Sequence, residues 1–382
     1  MKYRNLGKTK TKIPVIGQGS MGIGGYLSHD AQQDDNQVAA LKLGIEMGMT
    51  FIDTAEGYGQ GHAEELLARA IKGIRDKVLV ATKFSPEHNS YEAVIKSAEG
   101  SLRRLETDYI DLYQMHWPNP AVPMDETISA MERLLKEGKI RYIGVSNLSL
   151  TELKKARKAA SEGKIVSLQV EYNLFDRTIE DAILPYCEKE GMTTIAYSPL
   201  DQGKIADGDE KITVLRKIAD KYKKTTAQVA LNWLVSHPSV MAIPKATNPE
   251  HIRANASSAD FALSAEEFQE IARVFVRERV LVPTDRIRVI IGGQGNRQVY
   301  QTVEDAIANK LGFVPSPAEL ARDIRAGEAL KPVRVVKSTD KTGKYDYDLV
   351  EGRIRYWAWV IAYGQEKPIP VYVRENMMSG RS

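Results

Sequence analysis

The chain has 382 residues, of which 43% are hydrophobic and 27% are charged, so one or two globular domains are expected and global disorder is excluded. Its 53 basic and 50 acidic residues give a formal net charge of +3, which is too near balance to indicate nucleic acid or a membrane surface as a partner. The single cysteine, Cys187, excludes an intrachain disulfide framework, and no Cys/His cluster suggests a metal. Without a signal-like or membrane-spanning segment, we expect a cytoplasmic protein.

Short apolar or β-branched runs alternate with longer amphipathic segments from residue 15 to about 246. The predicted strands are VIGQG (15–19), TFIDT (50–54), VLVATK (78–83), IDLYQMH (110–116), IRYIGVS (140–146), VSLQVEY (166–172), TTIAYS (193–198) and VMAIPK (240–245). Helical patterns lie between them, as in residues 63–74 and in 131–139, where Gly138 is a candidate C-cap. Repeated βα units of this number and length predict an α/β protein with a (β/α)8 TIM barrel. The segments YRNLG and TKIP predict a hairpin that closes the barrel floor.

Polar side chains occupy the carboxyl ends of these strands, which is the face where barrel enzymes build their sites. They are Asp53, Lys83, His116, Ser146, Asn147, Gln169, Tyr197, Ser198 and Lys245. One such residue alone is more often a turn former. An acid, an ammonium, a phenol, an imidazole and amides on a single rim instead predict a functional site.

A tyrosine in the loop after the second predicted strand is the candidate proton donor. Tyr58 lies in FIDTAEGYG, and Lys83 is expected to pair with Asp53 in the barrel interior. We expect the ammonium to lower the pKa of the phenol from its ordinary value of about 10, which would make Tyr58 a general acid. His116 would orient a substrate oxygen. Because no hydroxyl or thiol is paired with a base, the pattern favours hydride delivered by a cofactor.

The end of the barrel sequence predicts a phosphate site. Lys245 precedes a helix that begins at Asn248 or Pro249, so a cation and free backbone N–H groups are expected to face the same space. Gly17, Gly19 and Gly22 form a G-x-G-x-x-G run. A barrel lacks the open sheet that a Rossmann fold requires, so we interpret these glycines as room for cofactor or substrate, with a simple turn as the alternative.

Residues 1–275 resemble the aldo-keto reductase superfamily. The matching segments, in order, are IGQGSMG, FIDTAEGYGQG, SLRRLETDYIDLYQMHWP, EGKIRYIGVSN, VEYNLF, AYSPL and IPKATNPEHIRANA. The resemblance implies reversible reduction of aldehydes and ketones to alcohols, with Tyr58 as proton donor, Lys83 and Asp53 tuning it, and His116 seating the carbonyl.

The resemblance also implies a set of cofactor contacts. These residues are Gly19, Ser20, Met21, Asp53, Ser146, Asn147, Gln169, Tyr197, Ser198, Leu200, Lys245, His251, Arg253 and Asn255. Among them Ser146, Asn147 and Gln169 would bind the nicotinamide carboxamide. Lys245 would hold a 2′-phosphate, which favours NADP(H) over NAD(H). The family commonly has Ser or Thr where this chain has Ala246, and Arg where it has His251.

The residues after the barrel predict a second domain over 279–376, followed by a tail at 377–382. The segment 281–291 is strand-like after Pro283 and precedes helical 303–312 and 316–327. Two strands, PVRVVKS and YDYDLVEG, then precede the helix RIRYWAWVIAYG and the strand IPVYVR. This order of elements predicts a small α+β domain with its own core.

The segment 281–374 resembles the ParB/sulfiredoxin-like fold, on the basis of VPTDRI, AELARDIRAGEALKPV, LVEGRIRYWAW and IPVYV. The resemblance implies a nucleotide or phosphate site at Glu351, Gly352, Arg353 and Arg355. A solvated charged face is the alternative for these arginines. Cys187 lies in the barrel, so sulfinic-acid repair is not expected, and the lack of a following helix-turn-helix disfavours specific DNA binding.

Three functions remain open from the sequence. The first is an NAD(P)H-dependent carbonyl reductase, acting on a small carbonyl or alcohol, with an attached nucleotide-binding module. The second is an NADP-binding sensor with little turnover. The third is a bifunctional protein whose C-terminal domain is a small-molecule kinase.

Overall fold

The computed structural model describes residues 1–26, 28–161, 163–206, 210–275, 279–290, 299–313, 315–327 and 330–374. The chain divides into two compact units, Met1–Phe275 and Val276–Ser382. Each unit has an apolar core of its own. Within the described ranges, no helix combines the length and apolar character needed to cross a membrane. The predicted tail at 377–382 lies outside the described residues.

The first unit is a closed barrel of parallel strands with helices between them. Its elements are β1 (Tyr3–Asn5), β2 (Lys12–Pro14), β3 (Gln18–Gly19), α1 (Asp34–Glu46), β4 (Phe51–Asp53), α2 (His62–Ile71), β5 (Leu79–Phe84), α3 (Tyr91–Arg104), β6 (Ile110–Met115), α4 (Met124–Lys136), β7 (Ile140–Ser146), α5 (Leu150–Ala159), β8 (Ile165–Glu171), α6 (Ile183–Glu190), β9 (Thr193–Tyr197), α7 (Glu210–Tyr222), α8 (Thr226–Val235), β10 (Val240–Ala242), α9 (Pro249–Ala256) and α10 (Ala265–Val274). Strands β3 to β10 form one eight-stranded sheet in sequence order. Ile16 bridges Ala242 in parallel, and the Gly17 amide donates to the Ala242 carbonyl at 2.8 Å. The predicted (β/α)8 barrel is therefore confirmed.

The N-terminal hairpin closes the barrel floor, as predicted. β1 and β2 pair antiparallel, and Leu6 and Ile13 are fully buried. Both side chains belong to the apolar cluster that contains Phe51, Leu112 and Met241 from the inner strands. The hairpin thus supplies the apolar side chains that fill the amino-terminal end of the barrel.

Helix α4 illustrates how the sequence pattern forms the outer layer. Ile128, Met131 and Leu134 recur at helical spacing and are fully buried, so one stripe of the helix packs against the barrel. Asp125 lies in the first turn, where a negative charge is favourable. Gly138 follows the helix with φ of +74°, which confirms the predicted glycine stop.

The second unit is a five-stranded mixed sheet with helices. Its elements are β11 (Val280–Val282), β12 (Ile287–Val289), α11 (Val303–Ile307), α12 (Pro317–Arg325), β13 (Val333–Lys337), β14 (Tyr347–Glu351), α13 (Arg353–Tyr363) and β15 (Ile369–Arg374). The strands lie in the order β11-β15-β13-β14-β12. Tyr356 and Trp357 of α13 are 6% and 8% exposed, so these two aromatic residues form part of the core of this unit.

Two predicted elements of this unit are wrong in detail. The strand expected after Pro283 is β12, but β11 precedes the proline and was not predicted; β11 pairs with β15 at one edge of the sheet and β12 pairs with β14 at the other. A continuous strand cannot reach both edges. The helix expected over 303–312 ends at Ile307, and Asn309 follows with φ of +46° and accepts from the Phe313 amide at 3.0 Å.

Candidate active site

The carboxyl ends of neighbouring parallel strands bring the predicted side chains together. Asp53 ends β4, Lys83 lies one residue before the end of β5, and Ser146 ends β7. Gln169 lies near the end of β8, and His116 follows β6 directly. Because all eight strands run in the same direction, these residues converge at one end of the barrel.

A buried ion pair forms the centre of this end. Lys83 Nζ donates to Asp53 Oδ2 at 2.7 Å, to the Thr54 carbonyl at 2.8 Å and to Tyr58 OH at 3.3 Å. Lys83 is 0% and Asp53 2% exposed. An ammonium has three N–H donors, and here each has an acceptor. Because the Tyr58 oxygen accepts from Lys83, the phenol's own proton is free to be donated elsewhere.

The loop that carries Tyr58 depends on a glycine. Tyr58 begins a short 3-10 helix, Tyr58–Gly61, in which Gly59 has φ of +57°. A Cβ on Gly59 would lie 2.4 Å from the Gly24 carbonyl oxygen. The left-handed backbone and the close approach both require glycine, so the residue next to Tyr58 helps to set the position of the phenol.

Burial has the largest effect on the pKa of Tyr58. It raises that pKa above the ordinary value of 10.0, and the charge of Lys83 opposes the shift without cancelling it. The expected net lowering was therefore wrong, because desolvation of the phenolate outweighs the attraction of the ammonium. Burial also disfavours the charged form of Lys83, but Asp53 and Tyr58 outweigh it and raise the Lys83 pKa. At neutral pH the site thus holds a protonated phenol beside an ammonium.

His116 lies beside the phenol as an uncharged ring. Its centroid is 5.9 Å from that of Tyr58, with an interplanar angle of 79°. Burial, together with the charge of Lys83, lowers the His116 pKa to about 3. A neutral imidazole can donate one hydrogen bond and accept another, so His116 can orient a carbonyl oxygen without adding charge.

Amide and hydroxyl groups from the next strands form a connected network. Ser146 Oγ donates to the Gln169 carbonyl, Asn147 Nδ2 donates to Ser146 Oγ, and Tyr197 OH donates to Asn147 Oδ1, each at 3.0 Å. Asn147 and Ser198 have φ of +59° and +46°. Non-glycine residues in the left-handed region are uncommon and concentrate at functional sites. The structure thus brings these predicted residues together at the ends of β7, β8 and β9.

Gln114 belongs to this network and was missed by the sequence analysis. Its Nε2 donates to Asp53 Oδ1 at 3.2 Å, and the same oxygen accepts from Gln169 Nε2 at 2.8 Å. Gln114 is fully buried. The available signal was a polar residue two positions before His116 within a predicted strand, on the same side of the strand by alternation.

Ser20, directly after β3, offers a position that fits a polar group of a dinucleotide. Ser20 Oγ is fully buried and has no hydrogen-bond partner among the described residues, whereas its amide donates to the Asp53 carbonyl at 2.9 Å. A buried hydroxyl without a partner is costly, so a polar ligand group fits this position. Met21 is 48% exposed, and Leu200 packs partly buried against the barrel core.

The glycine run has a packing role that the sequence analysis did not foresee. A Cβ on Gly17 would lie 2.7 Å from the Phe51 carbonyl oxygen, and one on Gly19 would lie 2.8 Å from the Ile243 carbonyl oxygen. Both glycines therefore let β3 approach its strand neighbours closely. Gly22 has φ of +87°, which agrees with the alternative of a turn.

The residues predicted to bind a phosphate lie in and just before α9. Lys245, His251 and Arg253 are exposed, and Asn255 is 5% exposed. The expected free amides are wrong, because Asn248 Oδ1 accepts from the Glu250 and His251 amides at 2.8 and 3.4 Å. Pro249, the first helical residue, has no N–H. Any phosphate recognition here therefore depends on side-chain cations.

In the second unit, the predicted anion site lies at the start of α13. Gly352 caps the helix with φ of +91° and makes no side-chain cap hydrogen bond. Arg355 Nη1 donates to the Lys331 and Pro332 carbonyls at 2.7 and 3.0 Å, so the protein itself holds this guanidinium, which disfavours the alternative of a solvated face for Arg355. Arg353 Nε is buried without a partner among the described residues. The side chain of Glu351 lies outside the described part of the structure.

A cavity of about 750 Å³ opens beside this helix start. Most of the side chains around it are apolar. It is lined by Val299, Tyr300, Leu311, Phe313, Pro315, Leu320, Val350, Gly352, Arg353, Ile354 and Arg355.

Comparison with known proteins addresses the first unit. The model of the aldo/keto reductase family matches residues 15–275. Methylglyoxal reductase YeaE of Escherichia coli (strain K12) is 40% identical over 264 residues, which are 69% of this chain and 91% of that protein. Glyoxal reductase of Bacillus subtilis (strain 168) is 37% identical over 247 residues, 63% of this chain and 84% of that protein.

The first unit is also similar to solved structures of aldo/keto reductases. An aldo/keto reductase from Klebsiella pneumoniae, in complex with NADP and acetate, has a TM-score of 0.65 and 40% identity, and the match covers 70% of this chain and 93% of that one. The family match, the named relatives and the barrel fold all indicate the same family. The chain belongs to the aldo/keto reductase family and is an NAD(P)H-dependent oxidoreductase.

Proposed function

We propose that the first unit, which we assign to residues 1–278, reversibly reduces small aldehydes or ketones to alcohols, with Tyr58 as the proton donor. The observation that carries this proposal is the hydrogen bond from Lys83 Nζ to Tyr58 OH at 3.3 Å. That bond occupies the phenol oxygen as an acceptor and leaves its proton for the substrate oxygen. The raised pKa of Tyr58, caused mainly by burial, keeps the proton present at neutral pH.

The roles of the other residues follow from their charges. When bound, a nicotinamide dinucleotide supplies the hydride that adds to the carbonyl carbon. As charge develops on the carbonyl oxygen, Tyr58 donates its proton, and the adjacent ammonium of Lys83 stabilises the phenolate that remains. Asp53 keeps Lys83 protonated, and neutral His116 orients the oxygen.

We propose NADP(H) in preference to NAD(H). The exposed cations Lys245, which precedes α9, and Arg253, in the last turn of α9, would meet a 2′-phosphate, and the Klebsiella pneumoniae structure contains NADP. We assign cofactor contacts to Ser20, Asn147 and Gln169. The buried Ser20 hydroxyl has no partner among the described residues, and the two amides lie at the ends of neighbouring strands. A cytoplasmic location remains a proposal from the composition.

The proposed substrates are small 2-oxoaldehydes. The relatives named methylglyoxal reductase and glyoxal reductase support this choice. A neutral His116 and a protonated Tyr58 offer hydrogen bonds to one carbonyl oxygen, and a second carbonyl would draw electron density away from the carbon that receives the hydride.

The test is Tyr58→Phe, with Tyr113→Phe as the matched control. We expect Tyr58→Phe to lower kcat with methylglyoxal and NADPH by roughly 10²- to 10⁴-fold, because the general acid is lost, while the Kd of NADPH is unchanged. Tyr113 is a fully buried tyrosine of β6 that donates to the Val94 carbonyl at 3.4 Å, and its variant should keep the wild-type kcat.

The outcomes separate the alternatives. Retained turnover in Tyr58→Phe would overturn the proposed mechanism. Tight NADPH binding by the wild-type protein, without turnover on a broad panel of carbonyls, would favour the sensor.

A second function is proposed for residues 279–376, which we interpret as a ParB/sulfiredoxin-like domain that binds a nucleotide or phosphate. The cavity of about 750 Å³ beside Gly352 and Arg353 supports a ligand of nucleotide size. The start of α13, where the cap residue Gly352 has no side chain to bond the first amides, and Arg353 Nε, which has no partner among the described residues, would receive its anionic group.

This second function is tested on the full chain. Thermal shift with ATP, ADP, CTP and inorganic phosphate should show stabilisation that Arg353→Gln reduces, whereas Arg322→Gln, an exposed arginine of α12, should behave as wild type. Phosphate transfer to a small molecule would identify a kinase. No shift with any of the four compounds would contradict the site.

A further inference from the structure

Both oxygens of the Asp53 carboxylate are held by side chains from other strands. Oδ2 accepts from Lys83 Nζ at 2.7 Å, and Oδ1 accepts from Gln169 Nε2 at 2.8 Å and Gln114 Nε2 at 3.2 Å. All four residues are at most 2% exposed. A charge buried to this extent keeps its position only if its lone pairs are satisfied.

The two amides on Oδ1 are not equivalent. Gln169 is the residue that we assign to the cofactor's carboxamide, so its amide gains a second partner when the cofactor binds. Gln114 is on β6 and is not assigned to any ligand. No proposed ligand therefore competes for the hydrogen bond from its Nε2 to Asp53 Oδ1, whether or not Gln169 contacts the cofactor.

Gln114 also sets the orientation of the Gln169 amide. Gln114 Oε1 accepts from Gln169 Nε2 at 3.5 Å, at the outer limit of a hydrogen bond, and Asp53 Oδ1 accepts from the same nitrogen at 2.8 Å. Both acceptors draw the nitrogen end of Gln169 to the same place. The oxygen end of that amide is then the one left for an N–H donor of a ligand.

We propose that Gln114 is a positioning residue that holds Asp53 against Lys83 and fixes the amide of Gln169. It acts through these two residues and does not touch substrate. The proposal rests on the proposed function, because the consequence of a displaced Asp53 is a misplaced Lys83 and hence a poorer proton donor at Tyr58. One fully buried amide on β6 thereby supports both the proton donor and a cofactor contact.

The first test is Gln114→Met, which keeps the length of the side chain and removes both polar ends. We expect kcat to fall about tenfold, the size of effect for one hydrogen bond to a buried charge, with a much smaller change in KM for the carbonyl. The matched control is Asn232→Leu on α8, whose buried amide donates to the Ser258 and Phe261 carbonyls at 2.8 and 2.9 Å. It should lose stability and keep kcat.

The second test is Gln114→Glu, which distinguishes positioning from packing. A protonated carboxyl can donate to Asp53 Oδ1 as the amide does, whereas an ionised one repels Asp53. We expect kcat near wild type at low pH, falling as the pH rises through an ionisation absent from wild type and from Gln114→Met. A pH profile parallel to that of wild type would overturn the proposal.

A third measurement needs no turnover. In a crystal structure of Gln114→Met, we expect the Asp53 carboxylate to turn and its contact with Gln169 Nε2 to lengthen beyond hydrogen-bonding distance. An unmoved carboxylate with wild-type kcat would contradict the role of Gln114. Retained turnover in Tyr58→Phe would instead contradict the proposed function, so the two failures are distinguishable.

Discussion

Charged side chains are used differently in the two units. In the barrel, Lys83 and Asp53 satisfy each other at full burial, and the same ammonium also reaches a phenol. In the second unit, Arg355 is held by backbone carbonyls, and Arg288 pairs with Asp348 through both carboxylate oxygens. In the barrel, the ion pair therefore contacts the phenol of the proposed proton donor, Tyr58. In the second unit, these charged side chains instead stabilise the unit's own strands and loops.

The largest expected effect is that of Lys83→Met. We expect kcat to fall roughly 10²- to 10⁴-fold because Tyr58 loses its partner, and the free energy of unfolding to fall by about 3–5 kcal/mol because Asp53 is left buried without its counter-charge. Steady-state kinetics and urea unfolding measure the two losses. The double variant Asp53→Leu with Lys83→Met should recover stability without activity, and recovery of both would contradict the assigned roles.

The next effect is the pH dependence of stability due to His116. Its pKa is about 3 in the folded chain, below the ordinary value of about 6.5. Between these two pKa values the unfolded chain binds a proton at His116 that the folded chain does not. The free energy of unfolding therefore falls as the pH decreases from about 6.5 toward 3. Between pH 7 and pH 5 the loss is about 2 kcal/mol.

The measurement compares urea unfolding of wild type and His116→Asn at both pH values. The pKa of buried His237 is also lowered, mainly by burial, so only the difference between the two proteins reports on His116. An equal loss in both proteins would show that His116 is not responsible.

Asp348→Asn tests the second unit in the same way. Asp348 accepts from Arg288, Ser338 Oγ and the Thr339 amide, so weakening these bonds should cost about 1–2 kcal/mol. Hydrogen exchange of the β13 and β14 amides in the full chain measures the loss, and kcat should not change. A fall in kcat as large as that of Lys83→Met would contradict the contrast between the units.

The smallest effect is expected from Lys245→Met. The exposed ammonium can contribute one charged contact to a 2′-phosphate, so the KM for NADPH should rise about tenfold, while the KM for NADH stays the same. Equal changes with both cofactors would contradict the assignment of Lys245 to the 2′-phosphate.

Much of the barrel was predictable because its strands are local features of the sequence. The β-branched runs that became β5, β7 and β8, and the polar residues at their ends, can be identified without any long-range contact. Gln114 was missed because its partner Asp53 is 61 residues away, and only strand register decides which side chains meet. Strand β11, before Pro283, was missed for the same reason, since β11 and β12 pair with opposite edges of one sheet.

The sequence by itself determined the repeated βα units, the residue types at the strand ends and the family resemblance, because these depend on local patterning and short motifs. The tertiary structure decided the net pKa shift of Tyr58 and the two amides on Asp53. The pKa shift is the balance of burial against the neighbouring charges, and the contacts on Asp53 depend on strand register. Both depend on distances that only the folded chain defines.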